Sequence, residues 1–375
     1  MPMSELPLRV LLLAPAISVH TRRWAEALAL RGLAVDFATQ HPDPDWRVPP
    51  GVVVHVLPFS GRDGYFANAP ALRGLLRRLR PDLVNAHYAS GYGTTAALAG
   101  HRPTLLSVWG SDVYDFPYGS PIAGRLLRWN LRRADRLAST SNAMAEQVRR
   151  LVGSQADVAV TPFGVDTGRF RPMDGLRDGG LITVGTVKTL ADKYGIDLLI
   201  RAFALVRGDL NAGTPDLRGR LRLLIVGGGP DREALERLTR ELGIVGVTTF
   251  AGPVPHDDVP TWLNRLDIYV APSRRDSESF GVAVIEASSC GVPVVVSDVG
   301  GLPEVVRDGG TGVIVRRADP RELATALAAL VLDPGRRAAL GGAGRAFVQE
   351  HYEWSICVDR MLDLYRDVVH QHRSR

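Results

Sequence analysis

The feature that most constrains this fold is a repeated alternation of short apolar runs with longer segments of helical spacing. Apolar runs at Arg9–Ala14, Val35–Thr39 and Asp82–His87 have the length and composition of buried strands. The alternation restarts at Leu181 and continues to Val315. Strands that alternate with helices build parallel sheets whose two faces are both covered. The sequence therefore predicts an α/β fold with two doubly wound parallel sheets in tandem.

The chain of 375 residues is longer than a usual single domain, which fits that division. A hinge-like segment at Pro162–Asp166 and a Gly/Asp-rich stretch at Met173–Gly180 separate the two sets of strands. We predict an N-terminal domain over residues 1–170 and a C-terminal domain over 171–352. Because ligands of such sheets bind at the carboxyl ends of the strands, we expect the site in a cleft between the domains.

Composition narrows the class of protein. No apolar run approaches 18 residues, and Met1–Pro7 lacks the pattern of a signal peptide, so we expect a cytoplasmic protein. Cys290 and Cys357 are too few for a disulfide framework or a metal cluster. The net charge of +5 suits acidic ligands or an anionic membrane surface without proving either. Arginine supplies every basic position except Lys188 and Lys193, which indicates a need for compact charges there.

The stretch Ala271–Val306 concentrates the candidate chemistry. A polar loop ends at Phe280-Gly281, and an apolar helical pattern follows. Free N–H groups and the helix dipole at such a start bind anions, phosphate above all. Glu278 lies just before the helix and Glu286 eight residues later, where both carboxylates can accept hydrogen bonds from sugar hydroxyls. This pattern suits a nucleotide diphosphate sugar, although a solvated Glu278 and an exposed Glu286 remain the alternative.

The same stretch resembles the Glu-x7-Glu signature of retaining glycosyltransferases of family 4, and Gly300, Gly301 and Glu304 resemble its downstream Gly-Gly-x-x-Glu-Val element. The order of elements matches the family over nearly the whole chain. The resemblance implies the GT-B architecture, in which two Rossmann-like domains face each other across a cleft and the C-terminal one binds the donor. It also implies that the final helix, within residues 353–375, crosses back to the N-terminal domain.

The resemblance assigns roles to these residues. Glu278 is expected to contact the transferred sugar and Glu286 the ribose. The diphosphate is expected at the start of the helix, on Ser279, Phe280, Gly281 and Val282.

The segment Val184–Gly195 is similar to the first donor loop of the family, which carries an arginine and then a lysine before glycine. Gly185 matches, but Thr186 stands in place of the arginine, and a tyrosine separates Lys193 from Gly195. We assign Lys193 to the family lysine and expect Lys188 to replace the arginine, both neutralising the departing diphosphate. Two solvated loop lysines are the alternative. By the same resemblance the backbone of Val254 faces the base. Gly228 lies in a tight strand-to-helix turn, Gly227–Pro230, which lacks the full Gly-x-Gly-x-x-Gly pattern and is a weak nucleotide-binding signal.

The N-terminal half carries less specific signals. His87 ends a strand and matches a family histidine, so it is expected to hydrogen-bond the acceptor or the sugar, or else to be structural. Asp112 matches the family acid, whereas Trp109 stands where many members have a sugar-contacting histidine. His20 is a further candidate on the acceptor side.

Two segments with a helical pattern, Leu72–Arg80 and Ile122–Arg136, interleave arginines with apolar residues. Such helices can lie on an anionic membrane, and a lipid-carried acceptor would be reached that way. Ordinary surface helices show the same pattern. A nucleic-acid partner is not expected, because no aromatic-studded sheet or basic tail accompanies the arginines.

The predicted function is therefore that of a retaining, metal-independent glycosyltransferase without a cofactor. It is expected to move a sugar from a UDP- or GDP-sugar to a hydroxyl of a lipid-linked saccharide or polysaccharide precursor in bacterial glycan synthesis, at the inner membrane face or in the cytoplasm. A small natural product as acceptor, a nucleotide-sugar 2-epimerase of the same fold and a silent nucleotide-sugar binding module are the alternatives.

Overall fold

The structure, a computed structural model, describes residues 7–213 and 215–374. The expectation that Met1–Pro7 is no signal peptide falls largely on residues that lie outside this range. Within the described residues, no helix combines the length and the apolar character that crossing a bilayer requires. The chain forms two compact units. The first comprises the chain up to Pro162 and the part from Cys357 onward, and the second comprises Phe163–Ile356.

The first unit contains a seven-stranded sheet in which every pairing is parallel. Its strands are β1 (Arg9–Leu13), β2 (Ala34–Thr39), β3 (Val52–Val56), β4 (Leu83–His87), β5 (Thr104–Ser107), β6 (Arg136–Ser139) and β7 (Val158–Val160). They lie in the order β3-β2-β1-β4-β5-β6-β7. The order reverses direction between β1 and β4, which is where a sheet of this kind opens a crevice for ligands.

Helices cover the faces of this sheet. They are α1 (Val19–Leu30), α2 (Gly61–Ala67), α3 (Ala69–Leu79), α4 (Tyr92–Ala99), α5 (Ser111–Tyr114), α6 (Pro121–Arg133) and α7 (Asn142–Val152). The predicted end of the α6 helix at Arg136 is wrong. The backbone of Ala134 is extended, and Arg136 already belongs to β6.

The second unit contains a six-stranded parallel sheet. Its strands are β8 (Ile182–Val187), β9 (Leu221–Val226), β10 (Thr248–Gly252), β11 (Ile268–Ala271), β12 (Val294–Ser297) and β13 (Val313–Val315). They lie in the order β10-β9-β8-β11-β12-β13. The direction of winding reverses between β8 and β11, so both units repeat the same plan.

The helices of the second unit are α8 (Ile196–Gly213), α9 (Pro215–Arg220), α10 (Arg232–Glu241), α11 (Val259–Leu263), α12 (Val282–Ser289), α13 (Pro320–Leu332) and α14 (Pro334–His351). Asp319 and Asp333 cap α13 and α14, because their carboxylates accept hydrogen bonds from first-turn N–H groups. Short 3-10 turns lie at Asp192–Tyr194 and His256–Asp258. Both follow the carboxyl ends of strands.

The last helix, α15 (Trp354–Arg373), belongs largely to the first unit. Its Tyr365 hydroxyl donates a 2.8 Å hydrogen bond to Oδ1 of Asn85 in β4, and Arg373 pairs with Asp82 at 2.6 Å. The units divide after Pro162 and after Ile356, against predicted boundaries after residues 170 and 352. Contacts 280 residues apart in sequence thus fix the end of the chain on the first sheet.

Candidate active site

The candidate donor residues gather at the reversal point of the second sheet. Lys188 directly follows β8, and the loop that carries Glu278 follows β11, the strand paired with β8. The helix α12 begins where this loop ends. Since the carboxyl ends of neighbouring parallel strands meet at one edge, two segments 90 residues apart come into direct contact.

The start of α12 is open, as the sequence predicted. Gly281 precedes it with a φ of 96°, and no side chain caps the helix. The first N–H groups of a helix have no partner within it, so those near Val282 can bind an anion with the help of the helix dipole. A side chain at Gly281 would strain the backbone at this φ and place a Cβ atom 2.7 Å from Leu302. Glycine is therefore required at the start of this helix.

Gly300 and Gly301 shape the loop that carries Glu278. A Cβ atom at Gly300 would lie 2.2 Å from the carbonyl oxygen of Glu278, and one at Gly301 would lie 2.2 Å from that of Ser279. The N–H group of Gly301 donates to the Glu278 carbonyl at 3.1 Å. The glycine pair thus holds the backbone of the loop in place. It thereby acts on the position of Glu278.

Lys188 and Glu278 form an ion pair, with 3.0 Å between Nζ and Oε1. The side chains are 20% and 10% exposed. Burial by itself lowers the pKa of Lys188, but the Glu278 carboxylate, with Tyr269 and Tyr194, raises it above its ordinary value. Lys188 is therefore a permanent cation in the neutral range. The structure brings these two candidate residues together, and the solvated-loop alternative does not describe Lys188.

Tyr194, the residue that departs from the family pattern, lies between the two lysines. The Nζ atoms of Lys188 and Lys193 lie 4.5 and 4.7 Å from the centre of its ring. Both distances are within the range of cation–π attraction. The ring therefore attracts both cations, which sequence reasoning did not foresee.

Two buried hydroxyl groups lie next to the ion pair of Lys188 and Glu278. The hydroxyls of Tyr269 in β11 and Thr186 in β8 are buried, and among the described residues neither has a partner of normal hydrogen-bond geometry. Burial raises the pKa of Tyr269 to about 12, against the opposing effect of Lys188. The Tyr269 hydroxyl thus stays protonated in the neutral range. Gly185 is buried beside them, where a Cβ atom would lie 2.2 Å from the Leu224 carbonyl.

Two arginines that sequence reasoning missed tie the two site loops together. Arg274 pairs with Asp197 at 2.5 Å and with Asp192 at 3.2 Å, and Arg275 pairs with Asp192 at 2.8 Å. The N–H group of Arg274 donates to the carbonyl oxygen of Lys193 at 2.8 Å. The donor loop is thus pinned to the loop that carries Glu278. The run of Arg and Asp residues in the loop that carries Glu278 was the signal available in the sequence for these ion pairs.

Glu286 faces inward from α12, with its side chain 8% exposed. Its Oε1 atom lies 3.4 Å from Nε2 of His256, and His256 in turn contacts Arg169. Sequence reasoning missed both residues. The signal available was a histidine just beyond the carboxyl end of β10, the edge where such sheets place functional side chains.

The glycine turn after β9 serves the donor loop. A Cβ atom at Gly227 would lie 1.9 Å from the carbonyl oxygen of Lys188, and the carbonyl of Gly228 accepts a 2.9 Å hydrogen bond from Leu190. Val254 lies beyond β10, two residues before His256. Ligand contacts at Gly228 and Val254 stay predictions.

In the first unit, the side chains at the carboxyl ends of β1, β4 and β5 differ in kind from the charged residues of the second unit. His87 is fully buried, and burial lowers its pKa to about 3. Its Nε2 atom lies 3.0 Å from Oδ1 of Asn85, whose amide group donates to Ser107 and Leu105. Because that Oδ1 atom accepts, His87 carries its proton on Nε2 and is neutral. Nδ1 is buried with no partner among the described residues.

Asp112 is buried and accepts three backbone hydrogen bonds, from Ala89 at 2.7 Å, Gly110 at 2.8 Å and Trp109 at 3.1 Å. Burial raises its pKa, and these N–H groups oppose the rise. Both oxygens are thus engaged in fixing the loops after β4 and β5. A catalytic role for Asp112 stays a prediction.

Trp109 is the centre of an aromatic cluster in this unit. The rings of His87, Tyr88 and His20 lie 4.7, 5.0 and 6.3 Å from it, centre to centre. Tyr88 has a φ of 68°, which is uncommon for a residue other than glycine and occurs often at functional sites. The cluster supports His20 and His87 as neighbours at one edge.

Metal binding has no support among the residues described. Within 7–213 and 215–374, no group of three His, Cys, Asp or Glu side chains is arranged to hold a metal ion. Independence from metal stays a prediction of the sequence.

Comparisons with known proteins identify the family and the fold of the chain. The family model described as "Glycosyl transferases group 1" matches residues 173–347, and the one described as "Glycosyl transferase 4-like" matches residues 9–141. A sucrose-phosphate synthase from Thermosynechococcus elongatus is 22% identical, with a TM-score of 0.83 over 96% of this chain and 99% of that one. Anabaena HepE in complex with UDP and glucose is 17% identical, with a TM-score of 0.77 over 96% and 100%. The fold is that of the GT-B glycosyltransferases.

Curated relatives agree with that class. A GDP-mannose-dependent alpha-(1-6)-phosphatidylinositol monomannoside mannosyltransferase of Mycolicibacterium smegmatis is 33% identical over 288 residues, which cover 72% of each chain. A D-inositol 3-phosphate glycosyltransferase of Acidothermus cellulolyticus is 31% identical over 96% of this chain and 87% of its own. The chain therefore belongs to the group 1 glycosyl transferases, glycosyltransferase family 4, as the Glu-x7-Glu stretch predicted.

Proposed function

We propose that this glycosyltransferase moves a sugar from a nucleotide diphosphate sugar to a hydroxyl group, with retention of configuration and without a metal ion. The observation that carries the proposal is the meeting of Lys188, Glu278 and the open start of α12 at one reversal point. A cation and free N–H groups suit a diphosphate. A buried carboxylate beside them suits the hydroxyls of the sugar.

The proposed step requires few participants. The acceptor oxygen bonds to the anomeric carbon on the face that the diphosphate leaves, the bond from that carbon to the β-phosphate oxygen breaks, and the acceptor proton passes to the leaving diphosphate. Lys188, Lys193 and the N–H groups near Val282 stabilise the charge that develops on the diphosphate. Such preorganised charges are usually the largest catalytic contribution. In this scheme the lysines supply the positive charge that a metal ion would otherwise provide.

The relatives give the proposal its range of substrates. One is named for GDP-mannose and a phosphatidylinositol monomannoside, another for D-inositol 3-phosphate, and the Anabaena neighbour holds UDP. We propose a UDP- or GDP-sugar as donor and a lipid-linked saccharide or polysaccharide precursor as acceptor.

A thermal-shift screen tests the donor. The purified protein is heated with UDP, GDP, ADP, CMP or phosphate, and the screen is repeated on Glu286→Ala and Lys193→Ala. A ligand present at 100 times its Kd stabilises the native state by about 2.7 kcal/mol. We expect one diphosphate to stabilise the wild type and both variants to lose most of the response. If no nucleotide stabilises the wild type, the proposed donor is wrong.

Product analysis tests the reaction. Proton NMR of the product from an α-linked donor is expected to show an α-linkage, with the same rate after treatment with EDTA. A β-linked product would exclude retention. A donor whose sugar changes configuration at C2 without transfer would favour the epimerase.

Contact with membranes is a separate part of the proposal. Ile122 and Trp129 of α6 are 76% and 39% exposed, and Arg132 and Arg133 form the last turn of that helix. Apolar side chains beside arginines favour an anionic lipid surface. We expect the protein to co-sediment with vesicles that contain phosphatidylglycerol and less with pure phosphatidylcholine vesicles, and Ile122→Asp to reduce that difference. Equal binding to both vesicles would contradict it.

A further inference from the structure

His256 lies between an arginine and the buried carboxylate of Glu286. We infer that His256 is a positioning residue: it holds one oxygen of Glu286 and leaves the other for the ribose hydroxyls of the donor. This inference rests on the proposed function, because it takes a nucleotide as the ligand of this site. It names His256 as the group that orients the Glu286 carboxylate when the nucleotide binds.

The arginine favours a proton on Nε2 of His256. Nη2 of Arg169 is 3.2 Å from Nδ1 of His256. A guanidinium group can only donate hydrogen bonds, and the two N–H bonds of this Nη2 atom are shared among Nδ1, the carbonyl oxygen of His256 and the Asp257 carboxylate, so Nδ1 accepts a share of one of them. The proton of the neutral imidazole is then on Nε2, and that atom faces Oε1 of Glu286 at 3.4 Å. The chain of donors therefore runs in one direction, from Arg169 through His256 to Glu286.

The imidazole ring is held on several sides. Arg169 also donates to the carbonyl oxygen of His256 at 2.7 Å and to the Asp257 carboxylate at 2.8 Å. The ring of Phe170 contacts the imidazole edge to face at 5.9 Å, and the Arg169 guanidinium lies 5.5 Å from the same ring. A side chain clamped in this way has few orientations left. His256 therefore fixes a direction for the hydrogen bond that it donates.

The carboxylate has acceptor positions left for a ligand. Glu286 is 8% exposed, and its contact with His256 is a long hydrogen bond. A carboxylate has about four acceptor positions, and Oε2 of Glu286 is not one of the buried polar atoms without a partner, so it is accessible to a ligand. Among the described residues, no side chain or N–H group donates to Oε2. Two neighbouring hydroxyl groups, such as those of a ribose, supply the missing donors.

A purely structural role for His256 makes a different prediction. If the histidine only stabilises the second unit, its loss weakens binding of every ligand alike or lowers the unfolding temperature. If it positions Glu286, its loss removes the preference for a ligand with ribose hydroxyls and leaves the diphosphate contacts as they are. The two roles are separated by a ratio measured on one variant: the affinity for a nucleotide with ribose hydroxyls divided by the affinity for the same nucleotide without them.

The experiment is isothermal titration of the full chain with UDP and with GDP, each beside its 2′,3′-dideoxy form. For the nucleotide that the wild type binds, we expect the dideoxy form to bind about 10-fold to 100-fold more weakly, since hydrogen bonds to a charged group are lost. His256→Phe keeps an aromatic ring against Phe170 but donates nothing, so the ratio is expected to fall to about 3 or less. Affinity for the dideoxy form is expected to stay within about 2-fold.

Matched variants sharpen the result. His256→Gln restores an amide donor and is expected to regain part of the ratio. Arg169→Met removes the group that fixes the proton on Nε2 and is expected to lower it. Arg265→Ala removes an exposed arginine stacked on Trp262 in the same unit, so it is expected to keep the wild-type ratio. Unfolding temperatures without ligand show that each variant is folded.

The outcomes separate the two proposals. If the wild type binds neither UDP nor GDP, the proposed function fails and this inference with it. If the wild type binds a nucleotide but His256→Phe retains the full ratio, the function stands and the positioning role is overturned. Should His256→Phe fail to fold, an unchanged ratio in both His256→Gln and Arg169→Met overturns it equally.

Discussion

The reversal points of the two sheets follow one backbone plan and carry opposite chemistry. In the second unit, the ends of β8 and β11 bring Lys188 and Glu278 together as a charged pair. In the first unit, where the order reverses between β1 and β4, the ends of β1, β4 and β5 bring together a neutral histidine and an aromatic cluster around Trp109. The same topology therefore positions residues without deciding what they do.

Burial explains much of this difference. His87 is enclosed without an opposite charge, so its pKa falls to about 3 and it stays neutral. Lys188 is also largely buried, but Glu278 stabilises its charge and its pKa rises. A buried ionisable group keeps its charge when a partner is present and loses it otherwise. The second unit thus holds a cation at this edge, whereas the first holds a neutral histidine and ring faces.

The largest expected effect comes from removing the charge of the donor site. Lys193→Ala and Lys188→Met are each expected to lower kcat for sugar transfer by about 10²-fold to 10³-fold, because each removes a cation from the developing diphosphate charge. Arg237→Ala, an exposed change on α10, is the control. Initial rates with saturating donor measure the effect. A kcat within 3-fold of wild type for both lysine variants would break the contrast between the two units.

Two carboxylates, one from each unit, provide the next comparison. Asp112→Asn replaces an oxygen that accepts backbone N–H groups by an amide donor, so we expect a loss of about 2–3 kcal/mol in the free energy of unfolding. Nucleotide affinity is expected to stay unchanged. Glu278→Gln is expected to show the reverse, a large loss of kcat with a smaller change in stability. Urea unfolding and transfer rates measure both. Equal stability losses would remove the distinction between a structural and a ligand-binding carboxylate.

The buried histidine predicts a pH dependence of stability. Below pH 6.5 the unfolded chain binds a proton at His87, whereas the folded chain binds it only near pH 3, because burial lowers the pKa of His87. Stability is therefore present above pH 6.5 and is lost as the pH falls, by about 2 kcal/mol between pH 6.5 and pH 5. Unfolding of wild type and His87→Phe at several pH values measures this, and the variant is expected to have the shallower slope. Parallel slopes would mean that His87 is protonated in the folded state.

The smallest expected effect concerns Tyr194. Tyr194→Leu removes the ring beside both lysines and is expected to weaken nucleotide diphosphate binding by about 3-fold to 10-fold, in line with a cation–π contribution of about 0.5–1.4 kcal/mol. Tyr194→Phe keeps the ring and is expected to stay within about 2-fold. Titration calorimetry decides between them. If the Phe variant is as weak as the Leu variant, the hydroxyl and not the ring is what matters.

Much of the architecture could be read from the chain. The strands predicted at Arg9–Ala14, Val35–Thr39 and Asp82–His87 are observed within one residue of those bounds, because short apolar runs between turn signals have few other uses. Helices such as α4 and α7 were not predicted. In α4 the cause is visible: six of its eight residues are buried, and its small residues show little amphipathic periodicity.

The candidate site was only partly readable. Glu278, Glu286 and the helix start were found because they lie within one continuous stretch with a recognisable spacing. His256 and Arg169 were missed because they lie 30 residues or more from Glu286 in sequence, and no spacing rule connects them. The role of Tyr194 was likewise hidden, since a single tyrosine in a loop has no periodic signal.

The sequence by itself determined the class of fold, the family and the residues at which strands end. These depend on local patterns of apolar residues, glycines and charges, which are written along the chain. Only the tertiary structure decided that Lys188 pairs with Glu278, that Asp112 is engaged by backbone N–H groups and that His256 reaches Glu286. Partners and burial set the charge of a side chain, and both arise where strands distant in sequence end side by side.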